Sequence, residues 1–325
     1  MSEPAHLYFH SPCFDGITSC VLAWDFLEAS RGWRIGELHS VNYDVRENWL
    51  STALCGPAAV VDFLYHPQAE FWADHHLTTF LTDEAKDDFE RRRNGLLTYD
   101  RQSSSCALLL WNHFLERFGY QNLRYKAMVD WADKIDSARY DSVDDAILGD
   151  APALQIRSSL ASKDGKKFSE ELVRALRRDE LDEVAQSPDV VRRASETEAM
   201  IQAGLDRFEA SSTLEADEIV TFDVDSSDVM VSRYAPYHFY HDARYSVGVV
   251  RSTDGAAVTA MRNPWRDFPS LSLGKILEKF GGGGHQRVAS VFLSGERASE
   301  AGSIRDQVLE EIRREDTAQT DSSAS

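Results

Sequence analysis

Short apolar runs alternate with amphipathic stretches through the first half of the chain. Leu7–His10, Gly36–Tyr43, Ala58–Leu64 and Glu70–Ala73 are brief and rich in apolar residues, which predicts four strands. Ile17–Ala29 and Ser103–Phe118 instead repeat apolar residues at helical spacing, the second behind a serine cluster suited to N-capping. Strand and helix in alternation predict an α/β domain on a doubly wound parallel sheet. Ligands of such a sheet bind in the crevice at the carboxyl ends of its strands.

From residue 164 the pattern becomes charged and helical. Val191, Ala194, Ile201, Leu205 and Phe208 recur near helical spacing, as expected of a connector that ends about residue 210. Beyond it the β pattern returns in Glu218–Val224, Val229–Ala235, Tyr245–Arg251 and Ala256–Met261. A helix over Leu273–Phe280 follows, then four glycines. The expected organisation is a first domain over 1–163, a helical connector over 164–210 and a smaller α+β domain over 211–312. The polar, aperiodic residues 313–325 read as a disordered tail. The chain shows no internal repeat.

With 325 residues and 42% hydrophobic content, the chain can bury two cores. No run reaches the ~18 apolar residues a bilayer span needs, and the first residues lack a signal-peptide pattern. A cytoplasmic protein without a membrane partner is expected, its oligomeric state open. Cys13, Cys20, Cys55 and Cys106 form no C-x-x-C pair and read as reduced thiols. A net charge of -19 opposes non-specific binding to long nucleic acid. A phosphate-bearing ligand is therefore expected to be short, or met by a local cation.

Four acid-bearing clusters stand out. "HSPCFDG" places His10, Cys13 and Asp15 just past a strand, with Gly16 allowing a tight turn. "AAVVD" ends in Asp62, "ADHH" supplies Asp74, His75 and His76, and "WADKID" holds Asp133 and Asp136. One strand-end aspartate is more often a helix cap, and one buried cysteine a small hydrophobe. Three clusters following predicted strands in one α/β half exceed what capping explains. Carboxylates and imidazoles converging there form a ligand set for two divalent cations, which can clamp a phosphoryl group. In the second domain, "FGGGGHQRVAS" combines Gly281, Gly282, Gly283 and Gly284 with His285 and Arg287, an expected anion-binding loop.

"ADHH" with "DG" and "VVD" upstream and "GGGGH" near the carboxyl end resembles the DHH phosphoesterase superfamily with its DHH-associated second domain. The likeness runs from about residue 6 to about residue 294. Size places it nearest the oligoribonuclease and 3'-phosphoadenosine-5'-phosphate phosphatase branch. The resemblance implies an active site between the domains and a metal-dependent phosphohydrolase using a metal-activated water. Short oligonucleotides or nucleotide 3'-phosphates would be its substrates. Asp15, His75 and Asp133 would hold one cation, with Asp136 as the fallback for Asp133. Asp62 would bridge both cations. Asp74 would orient the site, His76 would contact the phosphate, and the glycine loop, His285 and Arg262 would hold substrate.

The first motif departs from the family pattern, because Cys13 stands where the first acid belongs, beside His10. A thiolate is softer than a carboxylate. Mn2+ is the expected cation, with Mg2+, Zn2+ or Fe2+ as alternatives because of Cys13. A pyrophosphatase or polyphosphatase, and a non-catalytic nucleotide-binding regulator, are the competing expectations.

Overall fold

The computed structural model describes residues 3–161, 165–284 and 286–323. The chain divides into unit 1, Met1–Tyr140 with Gly149–Thr197, and unit 2, Asp141–Leu148 with Glu198–Ser325.

Unit 1 is built on β1 (Ala5–His10), β2 (Ile35–Val41), β3 (Ala58–Val61), β4 (Ala69–Asp74) and β5 (Leu97–Tyr99). They form one parallel sheet in the order β2-β1-β3-β4-β5. Successive side chains leave a strand on opposite faces, and both faces here are apolar. Leu7, Phe9, Ala59, Val61, Phe71 and Ala73 enter one core; Tyr8, Ala58, Val60 and Trp72 enter the other. Burial on both sides explains why these strands read as continuous apolar runs.

The first helices of unit 1 are α1 (Phe14–Arg31), α2 (Asp83–Arg92), α3 (Cys106–Phe118) and α4 (Lys126–Asp136), with α5 (Val143–Leu148) falling in unit 2. Ser105 caps α3 by accepting from the Leu108 amide, as the serine cluster predicted. α6 (Pro152–Ser159) belongs to unit 1 as well, and the stretch expected to be a connector forms α7 (Gly165–Arg178), α8 (Leu181–Ala185) and α9 (Pro188–Ala210). Phe168, Leu172, Val173 and Leu176 of α7 join the core with α1, so this helix is core, while α9 runs from unit 1 into unit 2. Residues 162–164, where the connector was expected to begin, lie outside the described residues.

Unit 2 carries β6 (Ser212–Leu214), β7 (Ile219–Asp225), β8 (Tyr245–Ser252), β9 (Gly255–Arg262), β10 (Gly283–Gly284) and β11 (Val288–Leu293). The mixed sheet runs β10-β11-β9-β8-β7-β6 and packs on α11 (Leu273–Glu278) and α12 (Ala301–Ser323); α10 (Ala235–Phe239) is a short helix. The strand expected over Val229–Ala235 is absent. Asp225 accepts from the Ser227 amide and hydroxyl to turn the chain, and Pro236 at the start of α10 favours helical backbone. The tail expected from residue 313 is likewise helical through Ser323. Ile304, Val308, Leu309 and Ile312 seat α12 on the core. Arg313 then pairs with Asp217, and Asp316 with Arg244, which hold the next turn.

Candidate metal centre

Parallel strands end together, and β1, β3 and β4 are neighbours, so their last residues share one edge. His10 ends β1, Asp62 follows β3, and Asp74, His75 and His76 finish β4 and the turn after it. The first turn of α1 brings Asp15, and α4 ends on Asp136. Gly16 permits the close seating of α1: a Cβ there would lie 2.0 Å from the His10 carbonyl oxygen.

His75 Nε2 lies 3.9 Å from Asp15, 3.8 Å from Asp62 and 3.4 Å from Asp136 carboxylate oxygens. His10 Nδ1 stands 3.4 Å from Asp62 Oδ2. Ligand atoms of Asp15, His75 and Asp136 lie within 4.8 Å of one another, and so do those of His10, Cys13 and Asp62. Asp62 sits between the two groups. It holds φ of +55°, a left-handed backbone that is uncommon outside glycine and tolerated by aspartate.

A second layer fixes these side chains. His75 Nδ1 lies 3.1 Å from the Ser103 carbonyl oxygen, an acceptor only, so Nδ1 carries the proton. Nε2, the other ring nitrogen, faces three carboxylates, where a neutral ring would offer its lone pair to a cation. Asp15 accepts from the Cys106 and Ala107 amides at 2.7 and 2.9 Å, using the first amides of α3. Asp74 Oδ1 accepts from the His75 amide at 2.8 Å and meets His76 Nδ1 at 2.7 Å.

The electrostatics call for a positive charge at the same place. His10 Nδ1, both Asp62 oxygens, Asp74 Oδ2 and His75 Nε2 are buried without a hydrogen-bond partner. Burying such groups unpaired costs several kcal/mol, on the order of 1–3 each. Burial, then the neighbouring carboxylates, pushes the Asp62 carboxyl well above its usual range. Burial raises Asp15 as well, and burial with Asp15 raises Asp136 to about 6. Burial, with His76 beside it, lowers His10 to about 4, leaving it a neutral imidazole. Burial and the Asp62 and Asp15 charges raise the Cys13 thiol. For His76, burial pulls the pKa down, but the bond to Asp74 together with the charges of Asp74, Asp136 and Asp15 outweighs it and raises the pKa above its usual value. The neutral His10 imidazole, a thiol and crowded carboxylates suit divalent cations.

Asp133, given the fourth-motif position, does not join this cluster. Its carboxylate is taken up by Ser104 and Arg139, and Asp136 occupies the place beside His75. The two acids are three residues apart on α4, and spacing alone could not choose between them; Arg139 just beyond the helix was the available sign. Arg262, expected to contact substrate, is 4% exposed. Its guanidinium donates to the Asn263 and Phe268 carbonyls and packs 4.1 Å from the Phe268 ring, which makes it a brace for the β9 end. Of the four glycines, Gly283 and Gly284 form β10 and pair with Ser290 and Ala289 of β11. A Cβ on Gly282 would lie 2.4 Å from the Ser290 carbonyl oxygen, and one on Gly284 2.5 Å from that of Val288. Close packing by itself already requires these two positions to lack a side chain. His285 lies outside the described residues. The backbone groups of Ser103, Cys106 and Ala107 carry no side-chain signal and were not foreseen.

No protein-family profile and no curated protein sequence matches the chain. Solved structures do. A pGpG-specific phosphodiesterase, PggH of Vibrio cholerae, is 16% identical with TM-score 0.70, over 94% of this chain and 99% of that one. RecJ of Thermus thermophilus in complex with Mn2+ is 15% identical with TM-score 0.57, over 96% of this chain and 52% of RecJ, so this chain spans about half its length. The DHH domain of a member of a ribosomal protein family is 14% identical with TM-score 0.53, over 96% of this chain and 86% of that one. At these identities the likeness is one of fold. The chain has the α/β fold of the DHH proteins, a five-stranded parallel sheet followed by a second unit on a mixed sheet. Among the described residues no helix is long and apolar enough to cross a membrane.

Proposed function

We propose that this chain is a divalent-cation-dependent phosphohydrolase acting on short linear oligonucleotides, dinucleotides included, or on nucleotide 3'-phosphates. The observation that carries the reading is the convergence of five buried, unpartnered polar atoms from His10, Asp62, Asp74 and His75 on one point of the sheet. Asp15, His75 and Asp136 would hold one cation, His10 and Cys13 a second, and Asp62 would serve both. Cations held there would lower the pKa of a bound water and offset the charge on phosphoryl oxygens.

The chain's own groups do the rest. Ser103 and Asp15's amide donors fix the ring and carboxylate that face the phosphate. Asp74 raises the pKa of His76, which favours the imidazolium form whose Nε2–H would donate to a phosphate oxygen. Manganese suits the carboxylate-rich group; Cys13 allows zinc or iron at the other. The net charge of -19 favours a short substrate over a long polyanion. The fold shared with a pGpG-specific phosphodiesterase supports a dinucleotide-sized substrate. Four unpaired cysteines agree with a reducing cytoplasm.

Purified chain is to be assayed on pGpG, a five-nucleotide RNA, adenosine 3',5'-bisphosphate and pyrophosphate, each with Mn2+, Mg2+, Zn2+ and Fe2+. Turnover of a nucleotide with Mn2+, abolished by Asp62→Ala, is the expected result. Turnover of pyrophosphate alone, or of nothing with any metal, rejects the reading.

A further inference from the structure

The β1–β2 edge of the first sheet carries a cluster that the strand-end centre does not use. His6 faces Glu37 across the parallel ladder, and His39 lies two residues further along the same face of β2. His6 Nδ1 is 2.8 Å from His39 Nε2, and Glu37 Oε2 is 3.7 Å from the first and 3.8 Å from the second. His6 and His10 are four residues apart on one strand, about 13 Å, so the cluster is distinct from the centre at the strand ends.

We propose that His6, Glu37 and His39 form a second divalent-cation site, of the zinc type, with a fourth position open to water. Zinc–nitrogen distances of about 2.0–2.1 Å in a tetrahedral site put neighbouring ligand atoms about 3.3–3.4 Å apart. The observed triangle of 2.8, 3.7 and 3.8 Å reaches that geometry with shifts of about half an ångström. Two imidazole nitrogens and one carboxylate oxygen are a donor set that zinc accepts readily. The imidazoles are already held in place. Tyr8 stacks on His39 at 4.4 Å with its own hydroxyl accepting from the Cys55 amide at 3.0 Å. Gly56 backs His6 so closely that a Cβ there would lie 3.1 Å from the ring.

The plainer account is a neutral imidazole pair sharing one proton. It explains the 2.8 Å contact but gives Glu37 no reason to converge on both rings. In the zinc account the ion clips the edge strand β2 to β1, and it stabilises the fold by binding the native state alone.

Chelator-stripped full-length chain is to be loaded with Zn2+, desalted and analysed for zinc per chain, with melting followed in parallel. His39→Gln and the exposed Glu37→Gln should each lower the count by one ion and remove part of the zinc-induced rise in Tm. Asp62→Asn should retain an ion that disappears when His39→Gln is added. Replacing zinc with Co2+ should give a visible absorption band of low-coordinate cobalt in Asp62→Asn, absent from the double variant. An unchanged zinc count in both His39→Gln and Glu37→Gln overturns the proposal. The count is readable whether or not the chain hydrolyses any substrate, so failure here and failure of the phosphohydrolase reading are separate results.

Discussion

Asp133 and Asp136 show how far three residues of helix can separate two identical side chains. Asp133 is neutralised by Arg139 and bonded by Ser104, whereas Asp136 faces His75 and Asp15 with its carboxyl raised to about 6. An acid already paired with a guanidinium has little charge left for a cation. Losing a partner one layer out from a metal typically costs 10–100-fold, so losing a ligand should cost at least that. Asp136→Asn should therefore lower Mn2+-dependent turnover by about 100-fold or more, and Asp133→Asn by less than about tenfold. Steady-state rates of both variants at saturating Mn2+ check this, and the reverse order would return Asp133 to the centre. The centre was legible because Asp62, Asp74 and His75 close apolar runs and Asp15 lies in the loop just past one. Which acid of α4 belongs there was not, since that depends on a cation from outside the motif.

Among the elements, β1, β3 and β4 were readable from continuous apolar runs, because burial on both faces leaves no polar alternation. β5, β6 and β10 span three residues or fewer, too short for any periodicity to show. The stretch over Val229–Ala235 has strand-like composition, yet the turn at Asp225 and the proline in α10 decide its shape. The glycine run is another local signal with two meanings. Gly282 is pressed against β11, while a Cβ on Gly283 would meet nothing within 4 Å. Overpacking of this kind costs about 1–3 kcal/mol. Gly282→Ala should thus lower Tm by several degrees and Gly283→Ala should leave it nearly unchanged. Should Gly283→Ala leave Tm intact but weaken nucleotide binding in a calorimetric titration, the loop would regain the ligand-holding role that the sequence suggested. Equal melting of the two variants would show that β10 is not packed as described.

At the scale of the whole molecule, the centre makes stability depend jointly on pH and cation. Without metal, Asp136 titrates at about 6 in the folded chain against 3.8 ordinarily. Its contribution is full below the ordinary value and is lost as pH rises through 6. Asp15 and Asp62 are raised as well, so they act in the same sense. His10 opposes them: lowered to about 4, it adds stability above its ordinary 6.5 and loses it as pH falls through 4. Below pH 6.5 these terms offset one another. Above it His10 is neutral in both states, and the raised His76 joins the carboxylates, since its contribution is lost as pH rises through its folded value. Chelated protein should accordingly lose stability as pH rises from 6.5 to 8, read as a fall in Tm. Cation binding displaces those same protons and grows stronger as they leave, so with Mn2+ the slope should reverse. Melting at pH 6.5 and 8 in chelator and in Mn2+ provides the comparison. A Tm in chelator that is flat or rising across this window would mean that the buried acids are not held protonated, and would remove the electrostatic argument for the centre.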